Sequence, residues 1–224
     1  MLQYLRKKIH TFLHLNWSWA YRFYKKRLIL HTIYFISKIK GRAFWEMIVD
    51  GVAVKFSFSN PYQNLIAKGY HQNTHEIQLL TIWKRQVEEY GGVILDLGGY
   101  TGVFGLLSAM TNPNAQVFIF EPDPINVGQI KNNIALNKLS NATVVPMAIT
   151  DTVGIVSFEV SFKSGEYCGG GTGGTITKEG GDFKVPCTTI DAWIAEHHIS
   201  PSLIKLDIEG AEYRGLLGAR KTLT

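Results

Sequence analysis

The segment VILDLGGYTGVFGLL, residues 93–107, limits the possible folds of this chain more than any other stretch of it. A short apolar run leads into Asp96, three glycines follow within five positions, and apolar residues then resume. This order predicts a buried strand, a tight turn and the first turns of a helix. Glycine lets a backbone bend sharply and approach a neighbour or a ligand closely. Asp96 stands at the carboxyl end of the predicted strand, the edge at which open α/β sheets bind ligands.

From residue 93 onwards the pattern alternates between apolar strands and helices. Asp123 is a good N-cap for a helix that begins at Pro124. Near-continuous apolar strands of this kind predict a mostly parallel sheet covered by helices on both faces, a doubly wound, Rossmann-like α/β fold. Two segments are expected to pair as antiparallel strands, and Asp191 is expected to cap a short helix to His198. The predicted strands are Val93–Leu95, Ala115–Glu121, Ala142–Ile149 and Leu203–Ile208, and the antiparallel pair is Ser157–Phe162 with Phe183–Ile190.

Residues 46–92 are expected to lead into this core, which itself spans 93–224. The segment EMIVDGVAVKFSF predicts a β-hairpin, because Asp50-Gly51 is a strong two-residue turn signal between β-rich runs. Glu76–Glu89 carries apolar residues at helical spacing, and Gly91-Gly92 ends that helix.

Residues 1–45 form a basic, aromatic arm. They hold ten of the 23 basic residues and none of the 18 acidic ones, so the remainder has thirteen basic and eighteen acidic residues. Such a segment suits a helix lying in a membrane interface, and equally a helical pair packed on the main domain. Its uncharged runs are shorter than the roughly 20 residues of a spanning helix. We expect a cytoplasmic chain, and peripheral membrane contact through this segment is an open alternative. Nucleic acid is not expected as a partner, because the acidic remainder would repel phosphates.

The glycine turn does not match the common phosphate-binding motifs. Tyr100 occupies a position that G-x-G-x-x-G would require to be glycine, and no G-K-[ST] follows. A bulky residue in the turn does not suit a pyrophosphate, so we expect a ligand without one. The two cysteines, Cys168 and Cys187, provide neither a disulfide framework nor a zinc pattern, and no metal site is predicted.

Glu121, at the end of the second strand, indicates what that ligand contains. A carboxylate there can accept hydrogen bonds from both hydroxyls of a ribose. An adenine ring could lie against Pro122 and Asp123, with Ala148 at the end of the third strand completing the slot. Adenosine without phosphates, carrying an amino acid or a cation near Asp96, describes S-adenosylmethionine. The alternatives are that Asp96 only caps a helix and that Glu121 is a solvated charge.

Five segments resemble, in order, the motifs of the FkbM-type methyltransferases, which are class I enzymes that use S-adenosylmethionine. They are ILDLGGYTGVFGLL, VFIFEPDPINVGQIKNNIALN, VVPMAITD, VPCTTIDAW and LIKLDIEGAEYRGLLGA, between about Val93 and Ala219. The family's turn reads roughly D-x-G-A-N-x-G, and Gly99 and Tyr100 replace its Ala-Asn pair. The resemblance implies methyl transfer to oxygen, commonly on sugars or polyketide-like acceptors. The glycine turn, the strand ends and the resemblance together suggest a set of cofactor-binding residues. They are Asp96, Gly98, Gly99, Thr101, Gly102, Glu121, Pro122, Asp123 and Ala148.

The segment KLDIEGAE supplies the catalytic candidates. The resemblance puts its strand beside the Asp96 strand, so Asp207 and Glu209 should face the reacting methyl group. We expect Asp207 to act as general base or acceptor orienter, with Glu209 second. The alternative is that Asp207 only fixes the turn and that Glu209 begins the next helix.

Three further expectations complete the sequence-based interpretation. The glycine-rich stretch Cys168–Thr175 is expected to be a flap near the acceptor or a disordered loop. The class I fold normally continues with about three more strands, so the chain looks truncated, with the LIKLDI strand as an exposed apolar edge. Two rival functions remain open: a non-catalytic, membrane-associated relic of a methyltransferase domain, and a nucleotide-dependent Rossmann oxidoreductase.

Overall fold

The computed structural model describes residues 44–57, 74–160, 174–177, 180–181 and 183–224. Apart from Phe44 and Trp45, the predicted arm 1–45 lies outside the described residues, as do residues 168–173 of the predicted flap. Residues Phe44–Thr224 form one compact unit. Its elements, in chain order, are β1 (Phe44–Val49), β2 (Val52–Ser57), α1 (Thr74–Tyr90), β3 (Val93–Leu97), α2 (Val103–Thr111), β4 (Gln116–Phe120), α3 (Pro124–Leu136), β5 (Ala142–Val145), β6 (Ala148–Ile149), β7 (Gly154–Val160), β8 (Gly174–Thr177), β9 (Phe183–Thr188), α4 (Ile190–His197), β10 (Pro201–Leu206) and α5 (Glu212–Leu217).

A parallel sheet forms the centre of this unit, in the strand order β10-β3-β4-β5. Helices α1, α2 and α3 cover one face, where Ile94 and Ile119 are buried against them. On the other face Trp193 of α4 packs edge-on against Phe118 and Phe120. Helices on both faces of a parallel sheet confirm the predicted α/β class.

The hairpin of β1 and β2 is confirmed and is fastened to α3 by amide side chains. Asp50 and Gly51 both have positive φ, 42° and 84°, as a type I′ turn requires. Asn137 Oδ1 accepts from the backbone N of Lys55 at 2.8 Å, and Asn137 Nδ2 donates to the carbonyl O of Lys55 at 2.6 Å. One side chain thus pairs with both polar groups of a strand residue, as a neighbouring strand would.

The predicted third strand, Ala142–Ile149, is two strands in different sheets. Pro146 has no backbone N–H and cannot continue a hydrogen-bonded ladder, so the chain leaves the parallel sheet after β5. The next strand, β6, pairs with β9 in a second sheet of order β6-β9-β7-β8. The predicted antiparallel pairing of β7 with β9 is confirmed. Gly174 and Thr175, expected in the flap, belong to β8, which pairs with β7.

The two predicted helix caps have different outcomes. Asp123 caps α3, accepting from Ile125 N at 2.8 Å, with Pro124 at the first helical position. Asp191 is not a cap: Thr189, in an extended conformation, caps α4 by accepting from Ala192 N. The Asp191 carboxylate instead accepts hydrogen bonds from residues 221 and 222, beyond α5. None of the helices within the described ranges has the length and apolar character needed to cross a membrane.

Candidate functional site

A pocket lies at the carboxyl ends of β3, β4 and β10 and extends to the second sheet. It holds about 830 Å³ of empty space, a volume that includes space open to solvent. Phe158 and Ile176 of the second sheet form part of its wall. The sequence-predicted residues that line it are Gly98, Gly99, Thr101, Glu121, Pro122, Ala148, Asp207 and Glu209.

The glycines of the turn bring one chain segment against another. The backbone N atoms of Gly98 and Gly99 both donate to the carbonyl O of Phe120, which ties the turn to β4. A Cβ on Gly98, whose φ is 86°, would lie only 1.9 Å from the carbonyl O of Asp207. Gly98 is therefore required by the close approach of the turns that follow β3 and β10. Gly102, also at φ 86°, does not line the pocket and begins α2 as its N-cap.

Asp96 lies beneath the pocket rather than on its wall. It is 1% exposed, and its Oδ2 accepts from the backbone N of Gly105 at 2.8 Å. Its Oδ1 forms an ion pair with Lys205 Nζ at 3.4 Å but has no hydrogen-bond partner within the described ranges. Burial raises the pKa of Asp96, and the Lys205 charge opposes that shift. Asp96 thus faces a cation of this chain, at the position where the sequence led us to expect an amino-acid or cationic part of the ligand.

Glu121 lies at the pocket wall and is held by three donors. Its Oε2 accepts from the backbone N of Tyr100 at 2.8 Å, and its Oε1 accepts from Asp123 N at 3.0 Å and from Asn126 Nδ2 at 3.4 Å. Burial, at 5% exposure, raises the pKa of this carboxyl to about 7 despite these hydrogen bonds. Asp123 does not itself line the pocket, because its side chain is occupied in capping α3.

Thr101 places a buried hydroxyl at the pocket with no partner of its own. Its side chain is almost fully buried, and its Oγ1 has no hydrogen-bond partner within the part of the chain that the structure describes. An unsatisfied buried hydroxyl costs stability unless a ligand or a water satisfies it. This orphaned group therefore fits a pocket that takes a polar ligand.

The two candidate catalytic carboxylates lie on the turn after β10. The Asp207 side chain is 57% exposed. Glu209 is also exposed and has a φ of 52°, so it lies in the turn and not in the next helix. Glu212 fixes this turn by accepting from the backbone N atoms of Ile208 and Gly210. In the ranges that the structure describes, no three His, Cys, Asp or Glu side chains are grouped to hold a metal ion.

Sequence reasoning missed Lys205, a pocket-lining residue whose ammonium lies between the carboxylates of Asp96 and Asp207. Its Nζ donates to the carbonyl O of Gly98 at 2.9 Å and lies 3.7 Å from Asp207 Oδ2. The available signal was a lysine inside the otherwise apolar run LIKL, residues 203–206. A lysine in that position must find partners or a cavity, because a buried unpaired charge is costly.

Comparison with known proteins identifies the family. A family model described as the methyltransferase FkbM domain matches residues 96–224. The chain is similar to the 2-O-methyltransferase NoeI of Sinorhizobium fredii (strain NBRC 101917 / NGR234), with 27% identity over 171 residues that cover 70% of each protein.

Two solved structures show weaker similarity. The tRNA (uracil-54, C5)-methyltransferase of Pyrococcus abyssi in complex with S-adenosyl-L-homocysteine has a TM-score of 0.32 at 21% identity, covering 46% of this chain and 24% of that one. TYW2 of M. jannaschii in complex with AdoMet has a TM-score of 0.30 at 18% identity, covering 50% and 52%. The chain thus spans about half or less of these solved proteins, and the fold assignment rests on the strand order. Because the family match covers more than half of its length, the chain belongs to the FkbM methyltransferase domain family.

Proposed function

We propose that this chain binds S-adenosylmethionine in the pocket described above and methylates a hydroxyl group of a sugar, a glycan or another hydroxylated small molecule. The observation that carries the proposal is the meeting of Glu121, Thr101 and Asp207 at one cavity beside the glycine turn. Membership of a methyltransferase family supports the reaction class, and the similarity to a protein named a 2-O-methyltransferase supports oxygen as the acceptor atom.

The residues at the pocket fit this cofactor. The Glu121 carboxylate already accepts two hydrogen bonds at Oε1 and one at Oε2, but a carboxylate has about four acceptor sites, so Oε2 can still accept from a ribose hydroxyl. Pro122 and Ala148 provide apolar surface for an adenine ring. The unpartnered Thr101 hydroxyl supplies a further polar contact.

The chemistry requires little of the protein beyond positioning and proton removal. When bound, S-adenosylmethionine would supply an electrophilic methyl group and leave as the thioether S-adenosylhomocysteine. In our proposal the Asp207 carboxylate accepts the proton of the acceptor hydroxyl as the new C–O bond forms, because it is exposed at the pocket and stands on a fixed turn. The apolar wall of Phe158 and Ile176 helps to exclude water from the acceptor.

Calorimetric titration separates this function from its two rivals. We expect S-adenosylmethionine and S-adenosylhomocysteine to bind and NAD to give no heat. Binding of NAD alone would favour the oxidoreductase, and no binding of any of the three would favour the relic.

Turnover is then tested with a panel of methyl glycosides that carry free vicinal hydroxyls, by mass spectrometric detection of methylated sugar and S-adenosylhomocysteine. Asp207→Asn should lower turnover at least about a hundredfold, within the range typical of general base catalysis, and leave cofactor affinity within about twofold. Lys131→Met, on the exposed side of α3, is the matched surface control. Full turnover by Asp207→Asn would remove Asp207 as the base and make Glu209 the next candidate.

The basic segment 1–45 supports a second, separate proposal of peripheral contact with an anionic membrane surface. Flotation of the full chain with vesicles containing phosphatidylserine, compared with a chain lacking residues 1–45, tests it. Equal flotation of the two chains would contradict this proposal.

A further inference from the structure

The pocket contains a charge that the sequence did not lead us to expect there. Lys205 and Asp96 are register partners on the adjacent parallel strands β10 and β3. The lysine side chain is 14% exposed, and Phe104 lies below it, with its ring centroid 5.2 Å from Nζ. Unlike Asp96, Lys205 lines the pocket. The charged group of this strand pair that a ligand can touch is therefore the ammonium and not the carboxylate.

The Asp96 carboxylate is poorly available to a cationic ligand. Its Oδ2 is occupied by the backbone N of Gly105, and Lys205 stands 3.4 Å from its Oδ1. A ligand ammonium would have to displace Lys205 from a nearly buried carboxylate and would leave the lysine without that counter-charge. The chain's own ammonium thus takes the place that the sequence suggested for a cationic part of the ligand.

Lys205 retains the capacity to bind an anion. An ammonium group has three N–H donors. One donates to the carbonyl O of Gly98, and a second faces Asp96. Asp207 Oδ2, at 3.7 Å, is beyond hydrogen-bond range, so within the described ranges the third donor has no acceptor. Because Asp207 is more than half exposed, solvent screens its charge.

We propose that Lys205 binds the carboxylate of the amino-acid end of the S-adenosyl cofactor, and that Asp96 acts only by holding Lys205 in place. This inference rests on the proposed function, since it assigns one end of the same ligand. In this arrangement Lys205 is a ligand-contacting residue and Asp96 is a positioning residue. The assignment reverses the polarity expected from the sequence, in which a carboxylate of the protein meets a cationic part of the ligand.

Two nucleosides that differ at this end provide the test. S-adenosylhomocysteine carries the amino-acid group, and 5′-methylthioadenosine lacks it. We expect Lys205→Met to weaken the binding of S-adenosylhomocysteine about tenfold or more, as for loss of a charge-assisted hydrogen bond. The affinity for 5′-methylthioadenosine should stay within about twofold of the wild-type value. Asp96→Asn keeps the lysine but removes the counter-charge that positions it, so it should weaken binding of S-adenosylhomocysteine relative to 5′-methylthioadenosine by about two- to threefold, less than Lys205→Met does.

The controls separate a contact from a folding defect. Lys205→Met leaves Asp96 buried without its counter-charge, so the double variant with Asp96→Asn, which removes both charges, is measured in parallel and should show the same selective loss. Lys205→Arg should restore most of the affinity for S-adenosylhomocysteine, and Lys131→Met should change neither ligand.

Equal weakening of both nucleosides in the single and the double variant, or no loss of S-adenosylhomocysteine binding, would overturn the assignment of Lys205. A loss confined to Asp96→Asn would return the contact to Asp96. If the wild-type chain binds neither nucleoside, the proposed function itself fails, which distinguishes that result from failure of the Lys205 assignment alone.

Discussion

Glu121 gives the sharpest prediction because its pKa lies near neutrality. Burial raises the pKa of this carboxyl from 4.5 to about 7 in the free protein. Only the ionised carboxylate has an acceptor site left for a ribose hydroxyl while it also accepts from Tyr100 N, Asp123 N and Asn126 Nδ2. Cofactor affinity should therefore rise with pH until Glu121 is ionised and then become constant.

The size of the effect follows from the ionised fraction. With a pKa of about 7, roughly one tenth of Glu121 is ionised at pH 6, so the affinity there should be about tenfold below its value at pH 8, or about 1.4 kcal/mol.

Stability should change in the opposite direction. The folded state holds the Glu121 proton more tightly than the unfolded chain, so the free energy of unfolding falls as pH rises from about 4.5 to about 7. The total fall attributable to this group is of order 3 kcal/mol.

The assay is calorimetric titration of S-adenosylhomocysteine between pH 6 and pH 8, with urea unfolding followed from pH 4.5 to pH 8. Glu121→Gln removes the titrating group, so its affinity, although lower at pH 8, should be independent of pH in this interval. The difference between the two proteins isolates Glu121 from neighbouring carboxyls such as Asp123. A wild-type affinity that changes by less than twofold, or an equal slope in Glu121→Gln, would refute the role of the ionised carboxylate.

Four substitutions test the packing by urea unfolding. Gly98→Ala should destabilise the fold by about 3 kcal/mol or more, because its Cβ would lie 1.9 Å from the Asp207 carbonyl O. Gly128→Ala, on the exposed side of α3 with no atom within 4 Å of the added Cβ, should stabilise the fold by up to about 1 kcal/mol. Equal effects of the two substitutions would contradict the close approach of the turns after β3 and β10. Asn137→Ala should lower the free energy of unfolding by about 1–3 kcal/mol, because the backbone N and carbonyl O of Lys55 lose their hydrogen bonds to the Asn137 amide. An unchanged unfolding midpoint would mean that these two hydrogen bonds contribute nothing to stability. Thr189→Ala should lower the free energy of unfolding by about 1 kcal/mol, because it removes the N-cap of α4. A variant as stable as the wild type would disprove this role of Thr189.

The sequence by itself determined the features that depend on neighbouring residues. The Asp50-Gly51 turn, the Asp123 cap followed by Pro124, and the strand–turn–helix around Asp96 were all predictable, because backbone sterics and capping act over a few positions. The apolar strands predicted the α/β class for a similar reason, since burial on both faces of a sheet is recorded in each strand separately. Where prediction failed locally, a local competitor decided the outcome, as Thr189 did for the α4 cap.

Only the tertiary structure decided how the charges and turns meet at the site. The register of β10 against β3 places Lys205 beside Asp96, and the approach of two turns places Gly98 against the Asp207 backbone. It also decided that Asp96 lies beneath the pocket while Glu121 lines it. These contacts join residues that are distant in sequence, and a single strand's pattern of apolar residues says which face is buried but not which residue of another strand stands opposite.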